Sequence, residues 1–379
     1  MFSTRFVRIF AAFVSVALSV LCSLQWLPAN LTGQRSDTQQ ESEEETKLPI
    51  LPVDKLPPTK LHTDIPNGLA FLPPVPDGNP LTEDKAALGR KLFFDPILSE
   101  DGTVSCASCH QPDHGFASPD PKAIGLHGRV GKRNAPSLLN KAYDSHLFWD
   151  GRVEKLEEQA ISPLSNPDEM GSDIQIAIDR LRESEEYVSL FEIAFADSGD
   201  SGEKGGGEKG DKPDKNVICS ETIGQAIASF ERTLVIGDSG VDRFRSANYK
   251  SLSESARQGM WIFESRGKCW KCHSSKSFSD QDFHNTGVSF DQEDRDVGRM
   301  EHTKDPEDRF KFKTPALRGV ANTAPYMHDG SMATLREVVE FYNRGGSQKD
   351  SQLSDKIEPL NLSEDDVDNL VEFLKALSG

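Results

Sequence analysis

Cysteine is scarce in this chain, at 6 of 379 residues, and none is left over to build a disulfide framework. Four sit in two short motifs, Cys22 falls in an apolar N-terminal stretch and Cys219 stands alone, so the mature chain has no internal pair to oxidise. Positive charge is short as well. Lys and Arg number 43 against 61 Asp and Glu, a net charge of -18, which argues against a nucleic-acid partner, whose phosphates require a surplus of cations. A surface of that sign suits a soluble protein that attracts basic partners. Strand-like alternation is sparse, so the expected class is mainly α. Tyr and Trp supply 5 and 4 residues, while Phe, at 21, leads the aromatics. With 36% apolar and 27% charged residues, the chain is long enough for two domains with their own cores.

What is present is a doubled motif. Cys-x-x-Cys-His occurs at Cys106-Ala107-Ser108-Cys109-His110 and again at Cys269-Trp270-Lys271-Cys272-His273. Two cysteines three apart can add across both vinyl groups of one haem, and the following His then ligates the iron. A four-cysteine zinc ribbon or two redox dithiols would use the same cysteines, but neither needs a His directly after the second. The repeat therefore predicts two covalently bound c-type haems, held by Cys106, Cys109, Cys269 and Cys272 and ligated by His110 and His273.

Along the chain, Arg5 and Arg8 precede an apolar run from Ile9 to about Leu27, read as a signal peptide or N-terminal anchor over residues 1–29. Leu21 is a poor neighbour for a lipidated Cys22. Export agrees with haem attachment, which takes place outside the bacterial inner membrane, so the expected location is periplasmic, with a membrane tether as the alternative to a cleaved signal. Residues 30–74 combine an acidic segment with a Pro-rich one and read as a disordered tether and an arm lying on the fold. Thr82-Glu83 and Ser253-Glu254 each start a helix carrying Gly-x-x-[Leu/Ile]-Phe, with Gly89 and Gly259 at its head, and each helix leads into a Cys-x-x-Cys-His. This is the pattern of two tandem cytochrome c-like domains, 75–240 and 241–379, one haem each. A last helix from about Ser363 carries Val367, Leu370, Val371, Leu374 and Leu377 on one stripe, which should pack on the second domain. Residues 198–216 are a low-complexity insertion expected to form a flexible surface loop.

From about residue 75 onward the chain resembles bacterial dihaem cytochrome c peroxidases, and more closely their MauG-type branch. The resemblance rests on Leu-Gly-Arg-Lys-Leu-Phe-Phe-Asp at 88–95, Arg-Asn-Ala-Pro-Ser-Leu at 133–138 and Phe-Trp-Asp-Gly-Arg at 148–152. Asn-Pro-Asp-Glu-Met-Gly at 166–171, Ser-Phe-Glu-Arg-Thr-Leu at 229–234 and Ala-Pro-Tyr-Met-His-Asp-Gly at 324–330 complete it. It implies that the N-terminal haem binds peroxide and the C-terminal haem passes electrons. It implies a distal pocket of Gln159, Pro163 and Glu169, the last shuttling the peroxide proton; a helix cap for Glu169 and a surface place for Gln159 are the plain alternatives. Trp149 would relay charge between the haems. Where other members place a Met, 14 residues after the His of the last motif, this chain has Tyr342, the axial ligand of the MauG-type branch, with Met327 as the rival. A Ca2+ between the domains would take the Asn134 side chain and the Thr323 and Pro325 carbonyls. His127, and less so His114, stands near where some members carry a switchable His that closes the first iron, but its spacing to Asn134 is one residue shorter and a solvated loop residue is the plainer reading. His328 would lie near the inter-haem region.

Three functions remain open from the residues. The leading one is a peroxidase that reduces hydrogen peroxide to water with electrons from a small redox protein, a cytochrome c or a cupredoxin. The second is a MauG-type oxidase that modifies residues of a partner protein. The third is a dihaem electron carrier without turnover, against which Pro163 and Glu169 argue. Either a monomer or a homodimer is compatible with the sequence.

Overall fold

Hydroxyl side chains open the two helices of the repeat. In the computed structural model, which describes residues 61–196 and 215–378, Thr82 Oγ1 accepts from the Lys85 N–H at 3.2 Å and Ser253 Oγ from that of Ala256 at 3.1 Å. These caps start α1 (Glu83–Phe94) and α8 (Glu254–Glu264). Each helix then crosses a later one at its glycine. A Cβ on Gly89 would overlap the Ala226 carbonyl of α6 (Ser220–Glu231), and one on Gly259 the Asn369 carbonyl of α11 (Glu364–Lys375). The absent side chain is what lets the two backbones touch.

A core gathers around each crossing. The first joins Leu88, Leu92, Ile223 and Ile227 with Leu181 of α4 (Ile174–Glu183) and Phe191 of α5 (Glu185–Ala194). The second joins Ile262, Phe263, Val367, Leu370 and Phe373 with Val339 of α10 (Leu335–Asn343). Each such buried side chain contributes roughly 1.5–3 kcal/mol. The helix expected from Ser363 is α11, closed by a reciprocal Ser363–Asp366 capping box. Its Val367, Leu370 and Leu374 are buried, as is Leu377 just beyond it, while Val371 is partly covered.

Short helices carry the remaining landmarks: α2 (Cys106–Cys109), α3 (Leu156–Ile161), α7 (Gly240–Arg245) and α9 (Met300–Thr303). Among the described residues the only ladder is a two-stranded antiparallel sheet, β1 (Phe283–His284) and β2 (Phe312–Lys313), with Phe283 opposite Lys313. The molecule is mainly helical, as expected. From residue 61 the Pro-rich arm is bonded to the body: Arg318 donates to the Gly68 carbonyl, Tyr143 to that of Phe71 and Arg232 to that of Pro74. The apolar run 1–29, most of the tether 30–74 and all but the end of the insertion 198–216 lie outside the described residues. Among the described residues no helix is long and apolar enough to cross a membrane.

Candidate active site: two cavities sharing a wall

The first motif folds as a single turn. Ser108 Oγ accepts from the Ser105 N–H at 3.0 Å, starting α2 so that Cys106 and Cys109 end one turn apart, with His110 next to them. His110 Nδ1 bonds the Phe116 carbonyl at 3.1 Å, which leaves Nε2 as the nitrogen available to a metal. The three residues line a cavity of about 590 Å³. The second motif repeats the arrangement. His273 Nδ1 bonds the Phe278 carbonyl at 2.9 Å, and Cys269, Cys272 and His273 line a cavity of about 250 Å³.

These sites fit the haem reading by their donor chemistry. Burial drives His110 down to about 4 and lowers His273 too, so both imidazoles are neutral, the form that ligates iron. Burial pushes the thiols up, to about 12 for Cys106 and Cys269 and about 11 for Cys109 and Cys272. A reactive redox dithiol needs the opposite shift, so that reading loses its support.

Gln159, Pro163 and Glu169 line the first cavity together with His110. Gln159 lies in the last turn of the short α3, and Pro163 is the second residue of a 3-10 turn over Ser162–Ser165. Glu169 follows in the turn that leads to α4. Its Oε1 accepts from Asn166 Nδ2 at 2.8 Å, and burial raises its pKa, partly offset by Asn166 and by the Arg152 charge. It does not cap the next helix: Asp173 caps α4 through the Gln175 N–H.

Trp149 lines both cavities, and its Nε1 donates to the Asn134 carbonyl at 2.9 Å. Asn134, Thr323, Pro325 and His328 line the second cavity, and Tyr342 and Met327 line it too. Burial pushes the Tyr342 hydroxyl up to about 12, so only a strong cation would draw off its proton. His127 lies elsewhere. It is exposed, 3.7 Å from Asp101, and is not among the residues lining the first cavity. His114 bonds the Ala324 carbonyl at 2.8 Å.

Several cavity residues escape sequence reading. Glu231 closes α6 and lines the first cavity; burial pushes it up to about 8, and its Oε2 has no hydrogen-bond partner. A glutamate ending the apolar run Ala226-Ile227-Ala228-Ser229-Phe230 was the available signal. Glu301 and His302 of α9 also line this cavity, brought there by Lys132 (3.0 Å to Glu301) and by Arg133, which pairs with Asp296 at 2.7 Å. No local pattern marks them, because tertiary contact places them. Lys141 lines both cavities and Lys313 the second.

Two attachment turns, each with a carbonyl-fixed histidine in its own cavity, define a protein with two c-type haem sites on a mainly helical fold. Comparison with known proteins makes the class specific. Residues 83–250 match the family model described as di-haem cytochrome c peroxidase. The methylamine utilization protein MauG of Methylorubrum extorquens is 35% identical over 80% of this chain and 81% of its own length. The cytochrome-c peroxidase IdrP1 of Denitromonas iodatirespirans is 35% identical over 80% of this chain and 84% of its own. A solved MauG-like protein associated with microbial copper homeostasis superposes with a TM-score of 0.74 at 32% identity, covering 84% of this chain and 96% of that one. The chain belongs to the di-haem cytochrome c peroxidase family and is an oxidoreductase.

Proposed function

We propose that this chain is an exported dihaem peroxidase that reduces hydrogen peroxide to two waters, taking up two protons and two electrons from a small redox protein, a cytochrome c or a cupredoxin. The observation that carries this reading is Glu169, a half-buried carboxyl in the same cavity as His110. When bound, the haems supply an iron centre that takes peroxide and a second that exchanges electrons. Cys106, Cys109 and His110 hold the first group. Glu169, in the same cavity, would accept one peroxide proton and return it to the departing oxygen, so that water rather than hydroxide leaves. Gln159 offers an amide to orient the peroxide, and Pro163, which has no N–H, covers the pocket without competing for it. Cys269, Cys272, His273 and Tyr342 hold the second group, which is reached by the donor, and Trp149 carries charge from that cavity to the first. The Asn134 side chain with the Thr323 and Pro325 carbonyls forms an oxygen-only site suited to Ca2+, stiffening the wall around Trp149.

A second reading, oxidation of residues on a partner protein in the manner of the MauG branch, is favoured by Tyr342, an anionic oxygen donor where a thioether would favour the reduced metal. Intact-protein mass spectrometry tests the base of both readings. Two covalent haem additions are expected, and a mass equal to the bare polypeptide would overturn them. Steady-state peroxide consumption with a reduced small cytochrome or cupredoxin then separates them: turnover supports the peroxidase, and peroxide-driven oxidation without use of the donor supports the second reading.

A further inference from the structure

The wall between the cavities holds an unbalanced buried charge. Asp144 Oδ2 accepts from two ammonium groups, Lys141 Nζ at 3.0 Å and Lys313 Nζ at 2.9 Å. The side chains are 14% exposed for Lys141, 2% for Asp144 and 4% for Lys313. Gln281 bonds Asp144 Oδ1 and Lys313 but brings no charge. Lys313 is fixed further by its backbone N–H, which donates to the Trp149 carbonyl at 2.8 Å.

Two other carboxyl groups act on these lysines, and neither restores the balance. Glu231 acts on Lys141 from α6, but burial keeps it protonated up to about 8. Asp280 acts on Lys313, but it is bonded to Lys356 at 3.2 Å and to His284 at 2.8 Å. One cation is therefore left without a paired anion in a largely buried place, which is costly unless an anion is supplied. Burial has already pulled Lys313 down to about 8. The open side of each lysine is a cavity: Lys141 lines both and Lys313 the second.

We propose that Lys141 and Lys313 are anion-binding residues for carboxylates of the two bound groups, the haem propionates, and that Asp144, shared between them, couples the charges of the two sites. This rests on the reading that two haems fill the cavities. Adding an electron to one haem makes that site more negative, strengthens the pull of its propionate on the lysine and weakens that lysine's pairing with Asp144. Asp144 then holds the other lysine more firmly and leaves it less free for the other haem. The lysines and Asp144 are positioning residues; they do not touch the peroxide.

Spectroelectrochemical titration of the full dihaem protein tests this, with resonance Raman of the propionate bending modes as a second readout. Asp144→Asn is expected to raise the midpoint potentials of both haems, because one buried anion serves both; a tenfold change in a one-electron equilibrium corresponds to ~59 mV. Lys313→Met is expected to lower the second potential and shift its propionate mode, and Lys313→Arg to restore both. An Asp144→Asn protein with two haems in which one potential or neither moves would overturn the coupling. A Lys313→Met protein with two haems and unchanged propionate modes would overturn the anion site. Absence of two haem additions in the unmodified protein would instead overturn the dihaem reading on which the proposal rests.

Discussion

Trp149 and His328 meet edge to face, with ring centroids 6.4 Å apart and planes inclined at 69°. They are corresponding residues of one turn used twice. Phe148-Trp149-Asp150-Gly151 and Met327-His328-Asp329-Gly330 each begin with a left-handed residue (φ 64° and 75°) and end with a left-handed glycine (φ 67° and 65°). Each turn is closed by an antiparallel bridge, Leu147 to Val153 and Tyr326 to Met332. Asn134 ties the two together. Its N–H donates to the His328 carbonyl at 2.8 Å, and its carbonyl accepts from the Trp149 indole. His328 stacks on Phe312 at 3.6 Å, and burial drives it down to about 4, so it adds no charge beside the tryptophan.

Trp149→Phe keeps an aromatic ring in the wall but deletes the bond to Asn134. After mixing with peroxide, the spectral response of the second haem is expected to slow while that of the first keeps its rate. Equal slowing at both would mean that Trp149 supports the first pocket rather than the path between them.

Glu169→Gln is expected to leave both haem spectra intact and to cost roughly 10²-fold or more in peroxide turnover, the usual scale for a lost proton shuttle. The wild-type pH profile carries the sign. The carboxylate must be ionised to accept a proton, and burial raises its pKa above the ordinary 4.5. Turnover should therefore fall as pH drops through a midpoint higher than that, and the variant should lack this limb.

Glu231 has a different signature, in stability. Its folded pKa, about 8, lies above the ordinary 4.5, so between those values the unfolded chain has released a proton that the folded chain retains. The stability this group lends is complete below about 4.5 and drains away as pH rises to about 8, by up to about 1.4 kcal/mol per pH unit. Glu231→Gln should flatten the decline in Tm over that interval. An unchanged slope would assign the decline to other groups.

The parts of this molecule that were legible beforehand are those written in local chemistry. Thr82, Ser253 and Ser363 cap helices because a hydroxyl before an acidic first turn has few other uses. The two Cys-x-x-Cys-His motifs each fold into a single turn lining a cavity because their residues are adjacent in the chain. Gln159, Pro163 and Glu169 share a cavity with His110 because one short helix and the turns after it carry all three. Glu231, Lys141, Lys313 and His302 were not legible. They reach the cavities through helix crossing and loop packing, which leave no fixed spacing in the chain. His127, whose plainer reading is a solvated loop residue, is exposed at φ 56° with its ring 3.7 Å from Asp101.

Gly259→Ala sets two effects against each other. Ala is the better helix former by about 1 kcal/mol. The new methyl would overlap the Asn369 carbonyl and stand 2.8 Å from Phe373 Cβ, both on the facing helix and neither able to swing away without moving α11. Overpacking of this kind costs about 1–3 kcal/mol and should win, lowering Tm. A gain in Tm would show that α8 and α11 can separate freely.

If Tyr342 ligates the second iron, as proposed, it governs how the protein meets peroxide. Its hydroxyl lies in the second cavity with His273, and burial holds its proton up to about 12, so ligation would require ferric iron to displace that proton. The resulting phenolate favours the oxidised metal, and the second haem should then have a low reduction potential. An oxidised centre that gives up a further electron readily removes the need to reduce one haem beforehand. Stopped-flow mixing of the all-ferric protein with peroxide should therefore give a fast spectral change at both haems. Tyr342→Met should raise the second potential and make reaction depend on prior addition of one electron. If the unmodified all-ferric protein is silent until reduced, the tyrosine is not acting as the ligand. A closed first iron would then be the expected cause.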